Sequence, residues 1–157
     1  MKSRHATLRV LLDTSFILPS LGIDVGGEVA PALAGLAETQ AEIHYSRFSM
    51  LESLWVAART IQDAKFDAET FKLGVRSIME GGRYRKVDED SEIINEALRL
   101  YELGHKDMID NTLYASAARL DLRLLTVDSN LKAFVKEKGL KDTLMSPDQV
   151  ASTSRLH

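Results

Sequence analysis

"DMIDNTLYASAARLDLRLLTVD", Asp107–Asp128, decides the fold, because it runs from a helical pattern into a strand with almost no loop between them. Ile109, Leu113, Ser116 and Leu120 recur at the three- and four-residue spacing of one helix face. Gly104 closes the preceding helical pattern, which makes Asp107 a candidate N-cap and Asp110 the third residue of the new helix. "LRLLTVD", Leu122–Asp128, then reads as a buried parallel strand ending on a carboxylate.

The same alternation extends in both directions. "LRVLLD" (Leu8–Asp13) predicts a first strand, followed by a tight turn at Thr14 and Ser15; "EVAPALAGLAE" predicts a helix and "AEIHYS" a second strand. "SRFSMLESLWVAARTIQ" has Phe48, Leu51, Trp55 and Ala58 on one face, and Ser49 and Glu52 stand at capping-box spacing. "FDAETFKLGVRSIME" predicts a helix capped by Asp67, "GGRYRKVD" a glycine break and a short basic strand or loop, and "SEIINEALRLYELG" an amphipathic helix. "SNLKAFVKEKG" predicts a helix closed by Gly139, and "DTLMSP" a last short strand. Strands alternating with helices give one α/β domain over residues 1–157: a central parallel, doubly wound sheet in an α/β/α sandwich.

Composition narrows the chemistry. With 157 residues, 45% of them hydrophobic, the chain buries a core without disulfides or metal staples. It has no cysteine, so thiolate zinc sites and cysteine nucleophiles are excluded, and a cytoplasmic location is expected. "MKSRHATLRVLLD" places basic residues before an apolar stretch, but that stretch stops at Asp13, which suits a strand and not a secretory leader. The net charge of −3 supplies no overall positive field for nucleic acid, so such a partner would need local basic patches or bound cations.

Four carboxylates stand where an α/β sheet gathers its sites. Asp13 and Asp128 end strands, while Asp110 and Glu52 lie at the borders of helical apolar stripes. Each has a local explanation as a cap or a surface acid. Asp128 shares its capping role with Ser129, and Asp107 suits a cap better than a site residue. Acids crowded at one end of one sheet repel, and all-oxygen donors suit Mg²⁺ or Mn²⁺. His5, His44, His105 and His157 show no zinc-site spacing; His105 alone lies near the acids in sequence. "GIDVGGEV" lacks the ending of a phosphate loop, and Ser15 stands where an aspartyl-phosphate mechanism needs a second acid. Arg47, Arg83, Arg85, Lys86 and Lys132 are the candidate phosphate contacts, and Tyr114 either lines the cleft or packs.

"VLLDTSFIL", Glu52 within its helix, "DMIDNTLYASAARLDLRLLTVDSNL" and "LMSP" resemble a PIN-domain ribonuclease, from about Leu8 to Pro147. The resemblance implies one or two Mg²⁺ or Mn²⁺ ions held by Asp13, Glu52, Asp110 and Asp128 as the catalytic and metal-binding quartet. It also implies Asp107 as an accessory acid, with Thr14, Ser15 and Thr126 as hydroxyls near the site. The implied activity is hydrolysis of RNA phosphodiester bonds by a metal-activated water. Family members are often VapC-type toxins, so an antitoxin partner and a homodimer are implied as well. A structure-specific DNA nuclease of related fold and a non-catalytic PIN-like binding module are the alternatives. A receiver-like domain needs an acidic pair at the first strand, where Asp13 stands alone.

Overall fold

Strands this short persist because helices cover both faces of the sheet. The computed structural model describes residues 7–154, so His5, His157 and the basic start of the chain lie outside the described residues. Five parallel strands, β1 (Arg9–Leu12), β2 (Glu42–Tyr45), β3 (Tyr84–Lys86), β4 (Arg123–Leu125) and β5 (Leu144–Met145), are ordered β3-β2-β1-β4-β5. Val10 pairs with both Ile43 and Arg123, which makes β1 the centre of the sheet. The chain builds outward from β1 to β2 and β3, then crosses back to β4 and β5 on the other side. The order therefore reverses between β1 and β4, where open α/β sheets form a crevice beyond their carboxyl ends.

Alternate residues of each strand feed different layers. Val10, Leu12, Ile43, Tyr45, Leu125 and Met145 face one side. That side is covered by α1 (Thr14–Ile17), a 3-10 turn (Leu18–Leu21), α2 (Val29–Ala37), α3 (Arg47–Gln62), α4 (Ala68–Glu80) and α8 (Pro147–Ser154). Leu11, Leu124 and Leu144 face the other side, under α5 (Ser91–Leu103), α6 (Met108–Leu120) and α7 (Ser129–Glu137). The doubly wound α/β/α sandwich expected from the sequence is the observed fold.

The predicted elements recur with specific differences. The first and fourth strands are shorter than their apolar runs: residue pairing ends at Leu12 and Leu125, and Asp13 and Thr126 each keep one backbone bond to the next strand, to the Leu125 and Met145 carbonyls. Thr14 and Ser15 begin a helical turn capped by Asp13 and not a simple tight turn. α8 carries no strong sequence signal, and Pro147 supplies its first residue.

α3 overturns the expected face. Leu51 and Trp55 are 43% and 56% exposed, while Ser49, Ser53 and Ala57 are the buried residues. Small side chains let this helix approach α1 and α6 closely, and Ser53 returns its hydroxyl to the Ser49 carbonyl. Ser49 is not the cap. The helix starts one turn earlier, where Ser46 accepts from the Phe48 amide. In α6 the expected stripe is also too narrow: every residue from Asp110 to Ala117 is buried, while Ile109 and Leu120 sit at its margin. α6 ends at Asp121, which takes φ 57° and ψ 47° and turns the chain directly into β4.

Close backbone approach fixes α4. A Cβ on Gly74 would lie 2.0 Å from the Ser20 carbonyl oxygen of the 3-10 turn, so only glycine fits there.

Candidate metal centre at the sheet switch point

Asp13 leaves β1 with its amide bonded to the Leu125 carbonyl at 3.1 Å, so its position is fixed from the neighbouring strand. One carboxylate oxygen accepts from the Thr14 amide at 2.6 Å, and the other accepts from the Thr126 hydroxyl at 2.7 Å. Thr126 in turn accepts from the Asp128 amide at 3.1 Å. Asp128 caps α7 through the Asn130 and Leu131 amides. Ser129, the alternative cap, is instead the first residue of that helix.

Asp110 enters from the opposite layer. Asp107 caps α6 by accepting from the Asp110 amide at 3.0 Å, and the first turn then places Asp110 inward, 8% exposed. The two acids of this turn thus separate into a solvent-facing cap and a buried side chain. Glu52, half-buried on α3, is near enough to act electrostatically on Asp13.

The charges show how closely these groups approach. Burial pushes the Asp13 carboxyl up to about 6, with Glu52 and Asp128 repelling it and the Thr126 and Thr14 hydrogen bonds pulling it down. Burial, a hydrogen bond with Asp128, and the charges of Asp13, Asp107 and Asp128 push Asp110 up to about 9. Burial raises Asp128 too, but its bonds to Asp110, Leu131 and Asn130 outweigh that and leave it below the usual carboxylate range. Burial, the bonding with Asp128 and the neighbouring charges thus favour the protonated form of Asp110 over its carboxylate. The largest influences on Asp13 and Asp110 are burial, hydrogen bonds and other carboxylates, with no arginine or lysine among them.

Among the described residues, no three histidine, cysteine or acidic side chains are gathered as a ready-made metal centre. As they stand, the acids use their oxygens on caps, on Thr126 and on each other. The donor set still fits a hard divalent cation: all the groups are oxygen acids, they are partly desolvated, and they repel one another. The buried Thr14 hydroxyl beside Asp13 has no hydrogen-bond partner. Ser15 follows it in α1, half-buried.

The basic candidates separate by location. Arg47 begins α3, and Lys132 lies on α7 four residues after Asp128; both belong to elements that start at the carboxyl end of the sheet. Lys86 ends the edge strand β3 and is exposed. Arg83 donates to the Ala41 carbonyl and Arg85 pairs with Glu42, so both are held toward the opposite end of the sheet. Tyr114 packs: it is 4% exposed and donates to the Lys141 carbonyl.

Two contributors were not legible. Glu89, within the acidic run "VDEDSE", has a fully buried side chain that accepts from the Ser46 hydroxyl at 2.6 Å and pairs with Arg47 at 3.4 Å. It fastens the start of α3, the helix that carries Glu52, and its negative charge suits a helix N-terminus. His105 acts on Asp128 electrostatically and is held by Asn111, whose side chain contacts the His105 ring at 2.7 Å and its carbonyl at 2.8 Å. The sequence signal for His105 was its nearness to Asp107; Glu89 had none.

A family model described as "PIN domain" matches residues 10–137. No curated protein matches the chain. Among solved structures, FitAcB from Neisseria gonorrhoeae is 15% identical, with a TM-score of 0.58 over 88% of this chain and 97% of that one. VapBC2 from Rickettsia felis, bound to a DNA fragment from its promoter, is 14% identical, with a TM-score of 0.61 over 88% of this chain and 98% of that one. VapC20 from Mycobacterium tuberculosis, a toxin that cleaves the Sarcin-Ricin loop, is 14% identical, with a TM-score of 0.59 over 79% of this chain and 93% of that one.

Proposed function

This chain belongs to the PIN-domain family, and from that premise we propose that it is a Mg²⁺- or Mn²⁺-dependent endoribonuclease and the toxin of a toxin–antitoxin pair. The observation that carries the reading is the gathering of aspartates at the switch point, where Asp13 and Asp110 are buried and burial and like charge dominate what acts on them. Structural ion pairing does not produce that pattern. A site that loads a cation before it meets a phosphate does.

Asp13, Glu52, Asp110 and Asp128 would hold one or two ions, with Asp107 outside them and the Thr14, Ser15 and Thr126 hydroxyls beside them. A bound ion neutralises the site and lowers the pKa of water enough to attack phosphorus near neutral pH. The chain's own residues do the rest. Thr126 holds Asp13 in orientation, the α7 cap holds Asp128, and Asp107 fixes the turn that aims Asp110. Burial and like charge favour a proton on Asp110, so holding a cation there would require that proton to leave for solvent, since Asp128 would be a ligand itself.

The proposed antitoxin draws on the likeness to a toxin–antitoxin complex from Klebsiella pneumoniae, 18% identical with a TM-score of 0.54, and the proposed location is cytoplasmic, where RNA is the substrate. Among the described residues no helix is long and apolar enough to cross a membrane. Exposed Leu51, Leu54 and Trp55 on α3, and Ile94 and Leu98 on α5, are apolar surface for an antitoxin and a second copy. Sedimentation of the isolated chain tests the homodimer.

The test of the activity is Mn²⁺-dependent cleavage of a labelled single-stranded RNA by the wild type, Asp13→Asn and Asp110→Asn. Cleavage that survives in both variants removes the proposed site.

A further inference from the structure

A groove of about 520 Å³ lies between α7 and the β5–α8 corner, and its lining includes Asp128 of the acidic quartet and Thr126, which bonds to Asp13. We propose that it seats one nucleotide of a single-stranded RNA adjacent to the cleaved phosphate, with the phosphate on α7 and the base over an apolar floor. This rests on the nuclease reading and adds where the strand lies.

Three observations converge on that occupant. First, Lys132 and Lys136 follow Asp128 at four-residue steps, so they line one face of α7 in sequence from the acidic site, about 6 Å apart along the axis. Both are exposed, and neither makes an ion pair or hydrogen bond among the described residues. A run of unpaired cations leading away from an acidic metal centre is complementary to a phosphodiester backbone leaving it.

Second, the floor is apolar. Val127 is 43% exposed beside Leu140 and Leu144, a surface suited to the face of a base. Its volume falls within the roughly 300–1,000 Å³ of small-ligand sites.

Third, the cations and the acids of the lining come from different segments. Lys132 and Lys136 lie on α7, while Glu28, Asp142 and Asp148 lie before α2, before β5 and at the start of α8. Those acids disfavour phosphate on their own segments and leave α7 as its place, and Glu28 and Asp142 offer acceptor oxygens to an exocyclic amino group. A nucleotide with an amino-bearing base carries both complements.

The experiment pairs two measurements. Steady-state cleavage of a labelled single-stranded RNA pool in Mn²⁺ compares the wild type with Lys132→Ala/Lys136→Ala and Lys132→Arg/Lys136→Arg. The alanine pair is expected to raise KM roughly tenfold with kcat unchanged. It should also flatten the salt dependence of binding by about 1.4 in log–log slope, about 0.7 per single-strand phosphate contact. The arginine pair restores both. Unchanged KM and salt slope in an RNA-cleaving protein overturn the groove and leave the nuclease reading standing.

In parallel, cytidine and uridine 5′-monophosphates are titrated into the wild type and followed by the methyl signals of Val127, Leu140 and Leu144. Selective shifts with the cytidine nucleotide support the groove even if no RNA is cleaved, in which case the nuclease reading alone falls. Absence of shifts at these methyls with both nucleotides overturns it.

Discussion

The two ends of the sheet handle charge in opposite ways. At the amino ends of β1, β2 and β3, Glu42 lies between Arg9 and Arg85, bonded to both, and Arg9 also reaches the Leu120 carbonyl. There, hydrogen bonds from Arg9 hold Glu42 below the usual carboxylate range. At the carboxyl ends, like charges meet: Asp13 and Asp110 are both pushed up. The first arrangement lowers its own energy and is complete. The second holds its acids above their ordinary range by burial and like charge, a pattern that clusters at working sites more than at fastenings and that the proposed cation would relieve.

Removing an acid should therefore have opposite consequences at the two ends. Asp110→Asn should lower metal-dependent RNA cleavage by at least about a hundredfold, the upper range seen when even an outer partner of a metal site is lost. The same substitution should leave the metal-free protein as stable as the wild type or more so, since burial already favours the neutral form of Asp110 and an amide has no carboxylate to desolvate. Paired activity and melting measurements decide this. A destabilised metal-free variant with normal cleavage would reverse the comparison.

Packing supplies the next largest effect, in a place remote from both ends. Gly74→Ala must displace the Ser20 carbonyl from α4, and overpacking of this kind costs about 1–3 kcal/mol. Urea denaturation measures it; a midpoint equal to wild type would mean that the 3-10 turn yields freely.

The acidic end should also give the metal-free protein a pH dependence of definite sign. Asp13 and Asp110 keep protons in the fold that they would release near pH 4 in the unfolded chain. Their contribution is present below about pH 4 and is lost as pH rises, through about 6 for Asp13 and about 9 for Asp110. Asp128 works the other way, losing its contribution as pH falls. The prediction is a lower melting temperature at pH 8.5 than at pH 5 in chelator, with Mg²⁺ restoring the difference. Equal melting at both, with or without Mg²⁺, would show that the acids do not sense one another.

The smallest effect belongs to the paired end. Glu42→Gln should slightly lower the melting temperature and leave cleavage unchanged, because the partnering arginines stand largely in solvent. Loss of cleavage would mean that the two ends are coupled.

What the sequence disclosed follows the same division between local and long-range physics. The caps at Asp67, Asp107 and Asp128, and the strand-end position of Asp13, are local patterns, readable within a few residues. The orientation of α3 is not. Its inward face is Ser49, Ser53 and Ala57, and the outward Leu51 and Trp55 imitate a core stripe. A small-residue face becomes visible only when its neighbours are in place. The four acids were legible as residues of one pattern, but the raised pKa of Asp110 and the burial of Glu89 come from contacts between distant segments.

The hydrogen bond from Thr126 to Asp13 spans 113 positions of the chain. Pairings between positions so far apart are slow to close, because the entropy of closing the loop must be met before the contact repays it. The Asp13 carboxylate therefore takes its final orientation only once β4 has docked against β1. Any activity that depends on that orientation, as proposed above, would begin with the completed sheet and not with the first strand.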